Sequence, residues 1–182
     1  MTRFHIPSVL SQVFNRSDDA ETVFSELMPV LGSLLQCDRI FLYLRHPDSR
    51  MGCTPFIWQQ SEEVPSLPDS YNAQWSLEDP QQLEQQDPLF AAALTGKPSI
   101  FIEDIEEAAN DIINKELEHQ QFVHRALVHA HLSHNHQLWG ILEPCMFDQP
   151  RTWTASDQAL INYTVAQSEL LAVNYVKEHH AQ

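Results

Sequence analysis

The stretch QLWGILEPCMFDQPRTWTASDQALI, residues 137–161, decides the fold. Its first half is an apolar run of the kind that forms a buried strand, and Gly140 within it marks a place where another part of the chain packs closely. Pro150-Arg151-Thr152-Trp153 ends the run and leads into a helix. Thr154, with Asp157 three residues on, provides its cap. Ala159, Tyr163, Ala166, Leu170 and Val173 then recur at steps of four and three, which predicts that they form the helix's core face. Upstream, Arg125 to His136 forms a second strand, and the turn near Ser133 to Gln137 makes the pair a hairpin.

Further out, Asp18 to Leu35 reads as a helix with Asp18 and Glu21 as its capping box. Ala20, Phe24, Leu27, Leu31 and Leu34 mark its apolar face, and Pro29 is expected to kink it. DRIFLYLR, residues 38–45, reads as a strand. It points Ile40, Leu42 and Leu44 one way and Phe41 and Tyr43 the other, so the sheet is covered on both faces. Thr54 to Gln59 is a second strand, residues 61–88 a long loop, Leu89 to Thr95 a short helix, Ser99 to Ile105 strand-like, and Glu106 to Gln121 a polar, acidic helix. The run Glu103, Asp104, Glu106, Glu107 reads as that helix's solvated start, favoured by its dipole. The order predicts an α+β fold, with the terminal helices on one face of a mostly antiparallel sheet.

Composition narrows the function. The chain has 182 residues and a formal net charge of −15, which repels phosphate backbones and anionic lipid and so argues against nucleic-acid or membrane partners. Its four glycines form no GxGxxG, P-loop or GxSxG pattern. Three cysteines, Cys37, Cys53 and Cys145, form no CxxC, and the expectation is a reduced, cytoplasmic protein.

The Leu138-Trp139-Gly140 strand end, the following Pro150-Arg151-x-Trp153 and the preceding Arg125-Ala126-Leu127-Val128 together resemble the GAF domains of phytochromes and cyanobacteriochromes. LLQCDRIFLYL from Leu34, and Asp87-Pro88-Leu89-Phe90, resemble further stretches of that family. The resemblance implies a single GAF domain over residues 18–178, with an N-terminal extension at 1–17 and a tail at 179–182. Its central antiparallel sheet carries the terminal helices on one face, with loops and short helices forming a pocket on the other. It also implies a cyanobacterial origin and a role in signal transduction. Where chromophore-bearing members carry a Cys-His pair, this chain has Asn114 and Lys115. Leu89 stands at the second attachment cysteine, and Cys145 where members carry a histidine. The expectation is therefore no covalent bilin, and an unknown non-covalent small ligand in a pocket that draws on His129, His131, Trp75, Phe90 and Cys145.

Other functions remain in view. His129 and His131 share a strand face, opposite Ala126, Val128, Ala130 and Leu132, and an HxH pair suits a transition metal. They are the candidate ligands of a metal- or haem-binding redox sensor. His134 and His136 fall at the solvated hairpin tip. Three cysteines in a small GAF protein also resemble a thiol-dependent methionine sulfoxide reductase. The reading favoured by the sequence is a non-enzymatic regulatory module with a protein partner. It also predicts a homodimer whose seam uses Leu35, Leu160, Gln167, Leu171 and Asn174.

Overall fold

The computed structural model describes residues 5–180. The first four residues of the expected extension and the last two of the expected tail lie outside the described residues. Helix α1 (Ser8–Arg16) leads to α2 (Ala20–Leu35), then strands β1 (Arg39–His46) and β2 (Met51–Gln59). The long connection that follows carries a two-residue strand β3 (Ser76–Leu77) and a short helix α3 (Pro80–Leu83). Helix α4 (Pro88–Leu94), strand β4 (Ile100–Ile102), a single turn α5 (Lys115–Leu117) and a π-helical turn (Glu118–Phe122) come next. The hairpin β5 (Ala126–His134) and β6 (Gln137–Met146) and the long helix α6 (Ala155–His179) complete the chain. The six strands form one antiparallel sheet in the order β3-β2-β1-β6-β5-β4.

Alternation along the strands makes this sheet two-sided. Ile40, Leu42 and Leu44 of β1, with Ala126, Val128, Ala130 and Leu132 of β5, join the main core against α1, α2 and α6. Phe41 and Tyr43 face the other way, as the sequence predicts. The hairpin turn is the two residues Asn135 and His136, with φ of 51° and 64°. Left-handed backbone at both positions is what a two-residue turn needs to match the strand twist. Gly140 is where the chain crowds, as expected: a Cβ there would lie 2.8 Å from the Tyr43 carbonyl oxygen. Trp153 donates its indole N–H to the Ile102 carbonyl at 3.0 Å, and the Arg151 guanidinium stacks over its ring. The Pro-Arg-x-Trp segment thus ties β4 to the start of α6. The expected cap of α6 is present, with Thr154 and Asp157 bonding reciprocally.

Several expectations need correction. The cap of α2 is Asp19, whose carboxylate accepts from the Thr22 N–H at 2.8 Å, so the helix starts two residues later than Asp18. Pro29 lies on the exposed face of α2 and does not end the helix, which runs on to Leu35. Residues 8–16 are a helix whose Leu10 and Val13 belong to the main core, so this part of the extension is integral to the fold. Residues 106–114 form turns, and helix appears only from Lys115.

The face of α6 is shifted by one residue. Val173 is buried as expected, but so are Leu160, Ile161, Thr164, Ser168, Ala172 and Val176, while Leu170 is 59% exposed. The helix packs on β5, whose inward face is Ala-Val-Ala-Leu, and the positions that it buries include the small polar residues Thr164 and Ser168. Leu160 at 5% exposure and Leu35 at 0% are therefore core residues and are removed from the expected dimer seam.

The hydroxyls of Thr164 and Ser168 are buried without a hydrogen-bond partner. Leaving such a group unmade costs about 1–3 kcal/mol. Thr164→Val keeps the shape and removes that cost, so it is expected to raise the unfolding free energy by about 1 kcal/mol. Urea denaturation checks this, and a loss of stability would mean that the hydroxyl has a partner.

Candidate functional site

On the face away from the terminal helices lies a cavity of about 200 Å³. Its floor is the sheet: Phe41 and Tyr43 from β1, Ile141 and Glu143 from β6, and His129 from β5. The walls come from Tyr71 and Glu78 of the long connection, Asp87, Leu89 and Phe90 at the start of α4, and Glu118, Gln121 and Phe122 of the π-helical turn. Such turns are rare and recur at functional sites. Here the turn carries Glu118 and Phe122 inward at 4% and 7% exposure.

Two arginines hold the frame. Arg45 grips Glu78 through both carboxylate oxygens, Nε at 2.6 Å and Nη2 at 2.8 Å, and the Tyr43 hydroxyl donates to the same carboxylate at 2.8 Å. This buried pair fixes the connection over the sheet. Gly52 leaves room for it, since a Cβ there would meet the Tyr43 hydroxyl at 1.9 Å. Arg39 is wholly buried; Nη1 donates to the Pro65 carbonyl at 2.5 Å and Nη2 to His124 Nε2 at 2.6 Å, with Phe147 under the guanidinium. Because a guanidinium only donates, His124 Nε2 accepts and Nδ1 carries the proton. Nδ1 lies 3.0 Å from Glu118 Oε2 and 3.5 Å from Glu143 Oε1. Burial holds His124 below the usual histidine pKa, partly offset by Glu118.

The same reasoning settles the expected histidine pair. His131 Nδ1 lies 2.7 Å from the Lys97 carbonyl, so it donates there and its Nε2 accepts from His129 Nδ1 at 2.8 Å. His129 Nε2 is left as an acceptor, 4.0 Å from Glu143 Oε2. Burial pushes both histidines below their usual range, so they are neutral at pH 7. The pair is bonded ring to ring, not converged on a common point. Among the described residues no three His, Cys, Asp or Glu side chains form a metal-holding group.

Of the five expected pocket residues, His129 and Phe90 line the cavity. His131 stands behind His129. Trp75 packs instead against the core beneath the helices, its ring 6.3 Å from that of His180. Cys145 is buried in a separate apolar cluster with Leu89 and Leu127, its thiol against the Arg39 carbonyl. All three thiols are free and buried, and burial pushes Cys37 and Cys53 up to about 12 and Cys145 well above its usual value. Burial thus favours the protonated thiol at all three positions, and Cys53 is the one of them that lines the cavity. Asn114 caps α5 and donates to the Gln86 carbonyl, while Lys115 Nζ bonds the Glu106 carbonyl. The acidic stretch is not a helix start either: Asp104 forms a two-point pair with Arg125 at 2.7 Å.

The sequence reading missed Arg39, Arg45, Tyr71, Glu78, Glu118 and Glu143. A signal for two of them was present. Arg39 and Arg45 share the parity of Phe41 and Tyr43, which places charge on a covered face of β1.

The GAF domain family profile matches residues 19–170, and the chain belongs to the GAF domain family. No curated protein matches it in sequence. Among solved structures it is similar to the phycocyanobilin-bound GAF domain of a cyanobacterial phytochrome, at 21% identity and a TM-score of 0.67, over 95% of this chain and 96% of that one. It is also similar to a GAF domain from Synechocystis in its photoproduct state, at 22% identity and a TM-score of 0.64, over 89% and 96%. The GAF domain of an Acinetobacter phosphoenolpyruvate-protein phosphotransferase superposes with a TM-score of 0.66 at 9% identity, over 96% of each chain. These likenesses establish the fold.

A linear tetrapyrrole does not fit the cavity as formed. Sites for drug-sized ligands measure about 300–1,000 Å³, above the volume here, and a tetrapyrrole is larger than most drugs. Its propionates would need cations, yet no Lys or Arg is among the residues that line the cavity.

Burial, reinforced by Glu118, pushes Asp87 up to about 7. A carboxyl whose pKa is raised on folding is bound to a proton in the native state over the interval from its ordinary value of 3.8 to about 7. Native stability is lost from this group as pH rises through that interval. Asp87→Asn keeps the cap on the Leu89 N–H and removes the titration. Its stability relative to the wild type should therefore grow steadily from about pH 4 to about pH 7 and level off above. Parallel denaturation series at several pH values measure the difference, and a flat difference would remove Asp87 from the titrating cluster.

Proposed function

We propose that this GAF domain is a non-enzymatic regulatory module that holds a small ligand non-covalently in the cavity and passes the signal by contact with a protein partner. The carrying observation is the cavity itself, walled by aromatic rings and carboxylates on the face opposite the terminal helices. Its mechanism is a population shift, in which ligand favours one arrangement of the long connection and π-helical turn over another. The buried, protonated thiols support a role without covalent catalysis. The module acts in the cytoplasm, consistent with three free cysteines; no helix among the described residues is long and apolar enough to cross a membrane.

The reading of no covalent bilin rests on Asn114 and Leu89 standing where attachment cysteines would be; of the three thiols, Cys53 is the one that lines the cavity. Co-expression with a bilin-producing system, followed by zinc fluorescence on a denaturing gel, is expected to give no band at the 21.0 kDa mass of the chain. A fluorescent band there overturns the non-covalent reading.

The output surface of this proposal is the outer side of α6, where a second copy docks. Leu170, Gln167 and Asn174 are exposed and Leu171 is half-buried. Net charge of −15 opposes association, so added salt is expected to strengthen the dimer by screening. Leu170→Glu should yield folded monomers by sedimentation. A wild type that stays monomeric at high concentration and high salt sinks the dimer.

A further inference from the structure

The inner part of the cavity is rich in acceptors. His129 spends its only N–H on His131, which leaves Nε2 a lone-pair acceptor. Glu143, 6% exposed, takes no hydrogen bond from the described residues; its nearest histidine nitrogens are 3.5 and 4.0 Å away. Glu118 Oε2 lies 3.0 Å from His124 Nδ1 but out of line for a hydrogen bond. Arg45 matches the charge of Glu78, yet no Lys or Arg in the cavity lining matches Glu118, Glu143 or Asp87. A ligand that completes this site must donate hydrogen bonds or bring positive charge.

An independent feature of the walls points the same way. Tyr71 stands in the middle of a ring cluster, its centroid 5.2 Å from Phe122, 6.1 Å from Phe41 and 6.5 Å from Tyr43. All four rings line the cavity. Aromatic faces attract cations through their quadrupole, and rings grouped around carboxylates are how proteins hold substituted ammonium groups. The volume of about 200 Å³ lies below the roughly 300–1,000 Å³ of drug-sized sites and suits a small molecule.

We propose that the cavity is a binding site for a small organic ammonium ion, a protonated or methylated amine, with its charge against Glu143 and Glu118 and its carbon atoms against Tyr71 and Phe122. This rests on the reading of the cavity as the ligand site and adds the chemical class of the ligand. Without a cation, mutual repulsion and burial keep protons on the carboxyl cluster. The groups that face Glu143 are Arg39 on β1, Cys145 on β6, His129 on β5, His124 before β5, Tyr71 of the long connection, Glu118 on the π-helical turn and Asp87 before α4. Arg39 and the two neutral histidines keep their state as an ammonium ion enters. The protons held on Asp87 and Glu143 leave instead, so binding releases protons and tightens as pH rises.

Isothermal titration of the full chain with choline, n-butylammonium and putrescine chlorides, at matched ionic strength, tests the proposal. The comparison ligand is choline's neutral isostere, with carbon in place of the quaternary nitrogen. At least one of the three cations is expected to bind saturably, more tightly at about pH 8 than at about pH 6. The isostere should bind at least about tenfold more weakly than choline if choline is the cation bound. Glu143→Gln should weaken the cation by about tenfold or more, the scale of one charge-assisted hydrogen bond. Circular dichroism and melting curves confirm that the variant is folded; if it is not, Tyr71→Leu, in the long connection, replaces it with the same expectation. Affinity unchanged by the variant overturns the site. An isostere that binds as tightly as the cations overturns the ammonium class and leaves the cavity as a ligand site. No saturable binding by any cation overturns the proposal, and failure of the isostere as well counts against the cavity as a ligand site.

Discussion

The two-residue period of β5 governs this molecule. Ala126, Val128, Ala130 and Leu132 fall on one face and Leu127, His129 and His131 on the other, and a slip of one residue would exchange them. The neighbouring strands keep the same phase, with Leu42 opposite Leu142 under the helices and Phe41 opposite Glu143 above the cavity. One side of the sheet is thus dry and packed by three helices. The other side can carry charge because it is roofed by connections that supply their own polar groups.

That roof is held by charge more than by apolar contact. Glu78 would be costly to bury alone, but Arg45 and Tyr43 satisfy it together, and the connection is anchored at that point. Arg39 plays a different part. It is a buried cation with no carboxylate in direct hydrogen-bond contact, held by a carbonyl, a histidine and aromatic faces. Its field reaches Glu143 and offsets part of the repulsion among the carboxyls. The polar side of the sheet is therefore balanced between one unpaired cation and several acids that share protons.

Much of the fold was legible in the chain. Alternation in DRIFLYLR and in the hairpin identified both faces of the sheet, and Gly140 announced a close approach that the structure places against Tyr43. Periodicity misplaced much of the face of α6 because two of its buried positions are Thr164 and Ser168, which hydrophobicity does not mark. The acidic stretch before β5 looked like a solvated helix, since its charge hides the inward turn of Glu118 and Phe122. Trp75 was expected in the pocket, and nothing local shows that the connection turns it toward the helices. The site was the least legible part. Glu78, Glu118 and Glu143 are separated widely in sequence, and only the pairing of strands and the π-helical turn bring them to one cavity. Strand parity marked Arg39 and Arg45, but their partners are set by tertiary structure.

The sheet order also determines how this molecule meets others. Its outermost strands are β3, with two residues, and β4, with three. A row of unpaired backbone groups is a template on which a foreign chain can build, and these borders are too short to offer one. The centre of the sheet, where strands run to ten residues, is sealed between partners on both sides. Beyond Gly52, however, β3 no longer covers β2, and Thr54 finds its backbone partner in Asn72 of the long connection, so that connection and not a strand is what guards this edge of the sheet.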